Sequence, residues 1–275
     1  MVLKVTFDAI CILLCLISIY PLIIMFMDSF KSLSEISSNP AGWPINPSLN
    51  NYRTLLSMNG GLVFRTFFNT LFIGVTSTFL IIVLAAMAAF AFAKYKFKGQ
   101  NIIFVALLAT MMIPGELAIP PLYIMFSRMH WINTYTVQIV PGAASVFSMF
   151  LITQYLQGVP NALIESARMD GAGHLRIFVR IILPTILPIL SALMIINFLG
   201  SFNAYLWPSI MVRDMEKWPV SVLLPRLTDN RGSAWIQPWD IITAASTLIT
   251  VPIIIVFVIF NKKVMDSVIL GAIKE

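Results

Sequence analysis

Six stretches of this chain are each long and apolar enough to cross a lipid bilayer, and no other feature limits its possible folds so severely. They run over residues 9–27, 66–93, 102–126, 135–157, 182–211 and 241–260. A hydrocarbon core of about 30 Å, crossed at about 1.5 Å per residue, needs about 20 mainly apolar residues. Runs such as ILLCLISIY are apolar on every side, so they predict helices; strands of a membrane barrel would alternate apolar and polar residues. Hydrophobic residues fill 59% of the 275 positions and charged residues 11%, against about 45–50% and about 25% in soluble domains. The expectation is a single all-α integral membrane domain over residues 1–275, with no separate soluble domain.

An even number of spans puts both termini on one side, and basic residues choose which side. The clusters KYKFK at 94–98 and NKK at 261–263 share the side of the termini and lie directly against membrane ends. Both termini are therefore expected in the cytoplasm. The net charge of +6 then reflects topology and contact with anionic lipid; its basic residues are too dispersed for a nucleic-acid surface. The first stretch is too long for a secretory signal and lacks a small-residue cleavage site before Asp28, so it reads as a retained span. Cys11 and Cys15, one turn apart within it, read as small apolar side chains rather than as a disulfide or metal pair.

Residues 158–184 interrupt this pattern. Pro160 opens a helix where its missing N–H costs nothing, and Gly171 closes it by taking the left-handed conformation of a C-terminal cap. The enclosed helix, NALIESARMD, has fewer than three turns. A second is expected after it, with Leu175, Phe178, Val179 and Ile182 on one face, Arg176 and Arg180 on another, and Pro184 at its end. Helices this short are marginal in water, so neighbours or a partner must hold them. From the residues alone, the pair is either an interfacial amphipathic hairpin or a grip for a cytoplasmic partner.

No active site is legible. There is no G-x-x-x-x-G-K-[ST], so the chain lacks a phosphate cradle of its own. His130 and His174 are far apart, without HExxH spacing, and read as an interfacial and a solvated loop residue. The outer loops carry Trp43, Trp218, Trp235 and Trp239, which suit a membrane interface singly and a docking surface together. In the third stretch, Glu116 is the most conspicuous intramembrane charge. Pro114, Gly115, Pro120 and Pro121 around it loosen the helix, which is tolerated only against protein or a water-filled cavity. Glu116 thus either faces a solute route or satisfies freed backbone groups or a partner.

The stretch ESARMDGAGHLRIFVRIILP at 165–184 resembles the cytoplasmic EAA loop of the membrane subunits of binding-protein-dependent ABC importers. Glu165, Ala167, Asp170, Gly171, Ala172, Ile181, Leu183 and Pro184 match that pattern, and Ser166 replaces its middle alanine. WPINPSLNNY at 43–52, the second span with KYKFKG, MMIPGELAIPPLY at 111–123, LGSFNAYLWP at 199–208 and the ending LGAIKE resemble the carbohydrate-uptake branch that includes the smaller maltose permease subunit. Phe202 and Ala204 depart from the tryptophan and acid common in that branch, as do Asp266 and Glu275 from its glycines.

That resemblance implies a type I ABC importer permease fold, with six transmembrane helices and a coupling helix that docks on a separate ATPase. It assigns coupling to Glu165, Ser166, Ala167, Arg168, Asp170, Gly171, Ala172 and Pro184. A small-residue face at Ala162, Ser166 and Ala167 would permit close approach, with Glu165 and Arg168 left to pair with charges in the ATPase. Implied partners are a second homologous permease subunit, two ATPase subunits that bind ATP and Mg, an external sugar-binding protein and membrane lipid. No cofactor or metal is expected in this chain, and the implied location is a bacterial or archaeal inner membrane. The cargo would be a sugar or oligosaccharide, with a non-sugar solute as the alternative. For the substrate route, Asn197, Asn203, Tyr205 and Trp207 join Glu116, since they offer donors, acceptors and aromatic faces. An asparagine within a span also serves as a helix-to-helix clasp. An ion-coupled carrier would instead show inverted repeats and paired buried charges, which are not evident.

Overall fold

The computed structural model describes residues 2–57, 60–227, 238–251 and 254, and all regular structure among them is helical. Three of the expected spans are long apolar helical stretches, Thr6–Asp28, Leu62–Lys94 and Tyr135–Gln157. Two others are bent pairs: Gln100–Thr110 with Gly115–Arg128 at 93°, and His174–Thr185 with Leu187–Phe202 at 78°. The described part of the sixth is the shorter apolar helix Trp239–Val251. The rest of that stretch, with Asp266, Glu275 and the LGAIKE ending, lies outside the described residues.

Proline chemistry accounts for both bends. Pro114 stands before the 3-10 turn Gly115–Ala118, and Pro120 falls in the first turn of Ile119–Arg128, where no N–H is required. Pro188 likewise opens Leu187–Phe202, after Ile186 has left helical geometry at φ −95° and ψ 6°.

Contacts gather the described residues into two units, one holding residues up to Phe68 with those from Val220 onward, the other holding Asn69–Pro219. In the first unit, side chains of the N-terminal helix are exposed from Phe7 to Ile23, an apolar surface for lipid or a second chain to cover. Buried polar contacts begin where that helix ends. Lys31 is wholly buried, paired with Asp28 at 2.8 Å and donating to the Asn39 carbonyl at 2.8 Å. Asn51 donates to the carbonyls of Ser29 and Lys31, and the Tyr52 hydroxyl to Ser29 Oγ, so the helix Asn50–Ser57 is tied to the turn after the first span.

The second unit holds the main core. Ala85, Ala86 and Ala89 of the long helix Leu62–Lys94 are buried with Met149, Ile152 and Leu156 of Val146–Gln157, and with Ile182, Ile186, Leu190 and Leu193. Small residues let helix backbones approach closely without a hydrophobic driving force between them. Gly74 does the same for one ring: a Cβ there would lie 3.0 Å from Phe198. Gly74→Leu is expected to destabilise the detergent-solubilised protein by about 1–3 kcal/mol, the usual cost of overpacking. Phe198→Ala in the same chain should relieve it, and unchanged melting of Gly74→Leu would refute the contact.

Candidate coupling elbow and substrate route

The elbow begins after Pro160. Asn161 caps the helix Ala162–Met169, its carbonyl accepting from Ile164 N at 2.9 Å and Glu165 N at 3.0 Å. Glu165 in the first turn and Arg168 in the last both complement the helix dipole. At the far end Gly171 sits at φ 76°; its N–H donates to Arg168 O at 3.0 Å, and Ala172 N–H to Ala167 O at 2.9 Å. This pair of bonds is the Schellman closure, which satisfies carbonyls that the helix end would leave open. The chain then turns through Gly173 into His174–Ile177.

The second arm departs from the sequence expectation at Pro184. Residues Phe178–Ile182 form a π turn in which Leu183 N–H donates to Phe178 O, five residues back. Its wider winding relieves the clash a proline ring makes with the carbonyl four residues earlier, here Arg180. Thr185 Oγ1 donates to the Ile181 carbonyl at 2.6 Å, and the helical path breaks only at Ile186. Pro184 therefore lies inside the arm rather than ending it.

The same turn re-sorts the faces. Ile177, Phe178 and Ile182 are buried, whereas Leu175 and Val179 are exposed. Phe178 and Ile182 of the expected face are thus inward, and Ile177 joins them in place of Leu175 and Val179 as the wider winding of the π turn shifts the inward side. On the first arm Ile164 and Ala167 point into the core, and Glu165, Ser166, Arg168, Met169 and Asp170 face outward. Ala167 thus leaves the expected small-residue face, which keeps Ala162 and Ser166 beside exposed Leu163. Ala172 packs at the edge of the core, and Gly171 and Pro184 are exposed.

A bracket that sequence reading missed holds this elbow. Lys94, last residue of the long helix, donates to Val159 O at 2.5 Å and to Asn161 Oδ1 at 2.9 Å. Next to it, the Tyr95 hydroxyl bonds His174 Nδ1 at 2.6 Å, and the Arg168 guanidinium lies 5.4 Å from the centre of the Tyr95 ring. Tyr95 also meets Phe90 edge-on at 5.2 Å, and Phe90 lies 5.6 Å from Phe178. KYKFK read as charge alone; the aromatic residue between its lysines was the available signal. His174 is exposed as expected, yet it is bonded rather than merely solvated.

The residues proposed for a substrate route separate into two kinds. Asn197 donates to Ser148 Oγ at 3.1 Å and to Leu193 O at 2.7 Å, and Trp207 Nε1 donates to Val137 O at 2.8 Å. Both serve bonds within the chain. Asn203, Tyr205 and Glu116 are exposed, with Asn203 Nδ2 donating to Leu199 O at 2.9 Å. Glu116 stands in the 3-10 turn at the 93° bend, where Leu117 N–H closes on Pro114 O at 3.1 Å.

Two asparagines organise the segment after Met211. Asn69 Nδ2 donates to Glu216 O at 2.7 Å and Trp218 O at 3.0 Å, while its Oδ1 accepts from Tyr135. Asn133, at φ 65°, accepts at Oδ1 from the backbone N–H groups of Arg213 and Asp214. Trp218 is buried and donates to Val212 O. It is a core residue, unlike Trp43 and Trp239, which are exposed.

Residues 81–268 match the model of a family described as binding-protein-dependent transport system inner membrane component. The chain is 34% identical over 265 residues to the arabinooligosaccharides transport system permease protein AraQ of Bacillus subtilis (strain 168), covering 95% of this chain and 92% of that one. It is 31% identical over 272 residues to the diacetylchitobiose uptake system permease protein NgcG of Streptomyces coelicolor, covering 97% and 87%. Its fold is similar to a chain in the crystal structure of a bacterial ABC transporter involved in the import of the acidic polysaccharide alginate. There the TM-score is 0.84 at 20% identity, covering 95% of this chain and 96% of that chain.

Proposed function

We propose a function from one premise: this chain belongs to the binding-protein-dependent transport system inner membrane components. It is a multi-pass membrane protein and a transport subunit, not an enzyme. Its cargo on this reading is a sugar or oligosaccharide delivered by an external binding protein. Relatives named for arabinooligosaccharide transport and diacetylchitobiose uptake support that cargo, and so does the fold shared with the alginate importer. The chain pairs with a homologous membrane subunit and two ATPases, which carry the ATP and Mg, and both its termini face the cytoplasm.

One observation carries the mechanism. The first elbow arm buries Ile164 and Ala167 on the chain's own core and presents Glu165, Ser166, Arg168 and Asp170 outward, at a corner fixed by Gly171. An arm anchored on one face, with charged groups and the apolar side chains of Leu163 and Met169 exposed on the other, is suited to dock in an ATPase and to carry its closure into the bent fifth stretch. Closure then opens the route outward as the binding protein releases its sugar, an alternating-access cycle. Within that route, exposure favours Glu116, Asn203 and Tyr205 as solute contacts, and leaves Asn197 and Trp207 as clasps.

Labelled oligosaccharide uptake by the reconstituted assembly tests this reading. Uptake should require both ATP and the binding protein. Glu165→Lys should leave the subunit inserted and the ATPases bound, yet lower uptake per ATP hydrolysed at least about tenfold, as a loss of about 1.4 kcal/mol would. Full uptake by that variant, or uptake by the subunit alone, would remove the coupling assignment.

A further inference from the structure

We infer that Lys94 and Tyr95 are positioning residues that lock the elbow to the inner end of the long helix Leu62–Lys94, giving the ATPase stroke a second path into the membrane bundle. This rests on the coupling role proposed above. It adds to that role a mechanical link that does not pass through the fifth stretch.

The contacts fall on both sides of the corner. Lys94 holds the approach to the first arm through Val159 O and holds its cap through Asn161 Oδ1. Tyr95 touches both arms with one side chain, since Arg168 lies over its ring and His174, the first residue of the second arm, bonds its hydroxyl. Beneath it, Phe90 and Phe178 continue the column into the core.

These contacts join residues 65 to 79 positions apart in sequence, so local helix geometry does not impose them. An arm cannot swing relative to the long helix without parting a hydrogen bond or lifting the arginine off the ring. Each such contact is individually modest. Because they share one short segment, they act together, and the elbow and the end of the long helix move as one piece. Tyr95 makes no contact with solute or nucleotide on this account; it acts through Arg168 and His174.

The test uses the full reconstituted assembly, with Cys11 and Cys15 replaced by alanine and spin labels at Phe97→Cys and Met169→Cys, both exposed positions. The labels report whether the elbow keeps a fixed distance from the end of the long helix. Tyr95→Ala should broaden the distance distribution and lower uptake per ATP hydrolysed about fivefold, with ATP hydrolysis itself retained. Tyr95→Phe keeps the ring under Arg168 but loses the His174 bond, so it should fall between parent and Tyr95→Ala. If Tyr95→Ala fails to insert, the double-mutant cycle of Tyr95→Phe with His174→Phe decides, because a real bond makes the two losses non-additive.

An unchanged uptake ratio in Tyr95→Ala, or strict additivity in that cycle, overturns the inference. Glu165→Lys separates the two readings. If it uncouples while the Tyr95 variants stay coupled, only the bracket is wrong. If neither uncouples, the coupling role falls and the bracket falls with it.

Discussion

Gly171→Pro should abolish ATP-driven uptake by the reconstituted assembly while the subunit still inserts. The residue sits at φ 76°, whereas a proline ring fixes φ near about −65°. Its N–H also donates to Arg168 O, and proline has no such donor. The corner must therefore open, taking with it the bond from Ala172 to Ala167 O. A loss of about 3 kcal/mol at one short turn is more than a helix of fewer than three turns can absorb.

A graded series separates conformation from crowding. Apart from its own chain neighbours, no described atom lies within 4 Å of where a Cβ would stand at Gly171, so substitution there is penalised by backbone geometry and not by collision. Gly171→Asn, which tolerates the left-handed region, should retain most uptake. Gly171→Ala should lose part of it, at a cost of about 1–2 kcal/mol. Uptake and ATP hydrolysis measured together in proteoliposomes give the ratio that matters. A proline variant with a normal ratio would show that the corner is irrelevant to coupling.

Lys31→Ala should be the most destabilising single change in the first unit. The side chain is wholly buried against Asp28 at 2.8 Å, and Asp28 ends the first span. A carboxylate at a helix C-terminus meets the negative end of the helix dipole, so the lysine compensates both the charge and the dipole. Removing the cation leaves the carboxylate buried and opposed, at a cost of about 3–5 kcal/mol. The test is thermal unfolding in detergent alongside limited proteolysis of residues 29–57. Asp28→Leu combined with Lys31→Met should recover much of the loss, since a well-packed apolar pair often replaces a buried ion pair without penalty. If Lys31→Ala melts with the parent, the pair contributes nothing.

The sequence made the apolar helices and the corner legible for the same reason: both depend on local chemistry. Apolar runs of bilayer length announce helices, and a glycine after a short amphipathic run announces a left-handed cap. The 93° and 78° bends were only partly legible, because prolines mark where a helix is interrupted but not how far it turns. The inward face of the second arm was half legible: Phe178 and Ile182 are buried as the α-helical pattern requires, whereas Ile177 replaces Leu175 and Val179 because the π turn winds more widely than that pattern assumes.

Tertiary pairing was not legible at all. Nothing around Lys31 in the sequence marks it for burial, yet folding buries it wholly. Trp218 looked like an interface aromatic, although its indole N–H finds a carbonyl inside the protein. Tyr95 finds His174 only once two remote segments are folded together. Among the solute-route residues, composition did not reveal that Asn197 and Trp207 bond to remote parts of the chain, at Ser148 and Val137, whereas Asn203 bonds to its own helix.

The wide turn at Phe178–Ile182 accommodates one residue more than ordinary winding would need. Excising a single residue there would let the helix rewind and swivel everything before it by about 100° around the axis. Glu165 and Arg168 would then point away from any socket shaped for them, with every transmembrane side chain still in place. The elbow's compass bearing is thus set by a surplus residue, and a motor protein matched to this subunit is matched to that surplus.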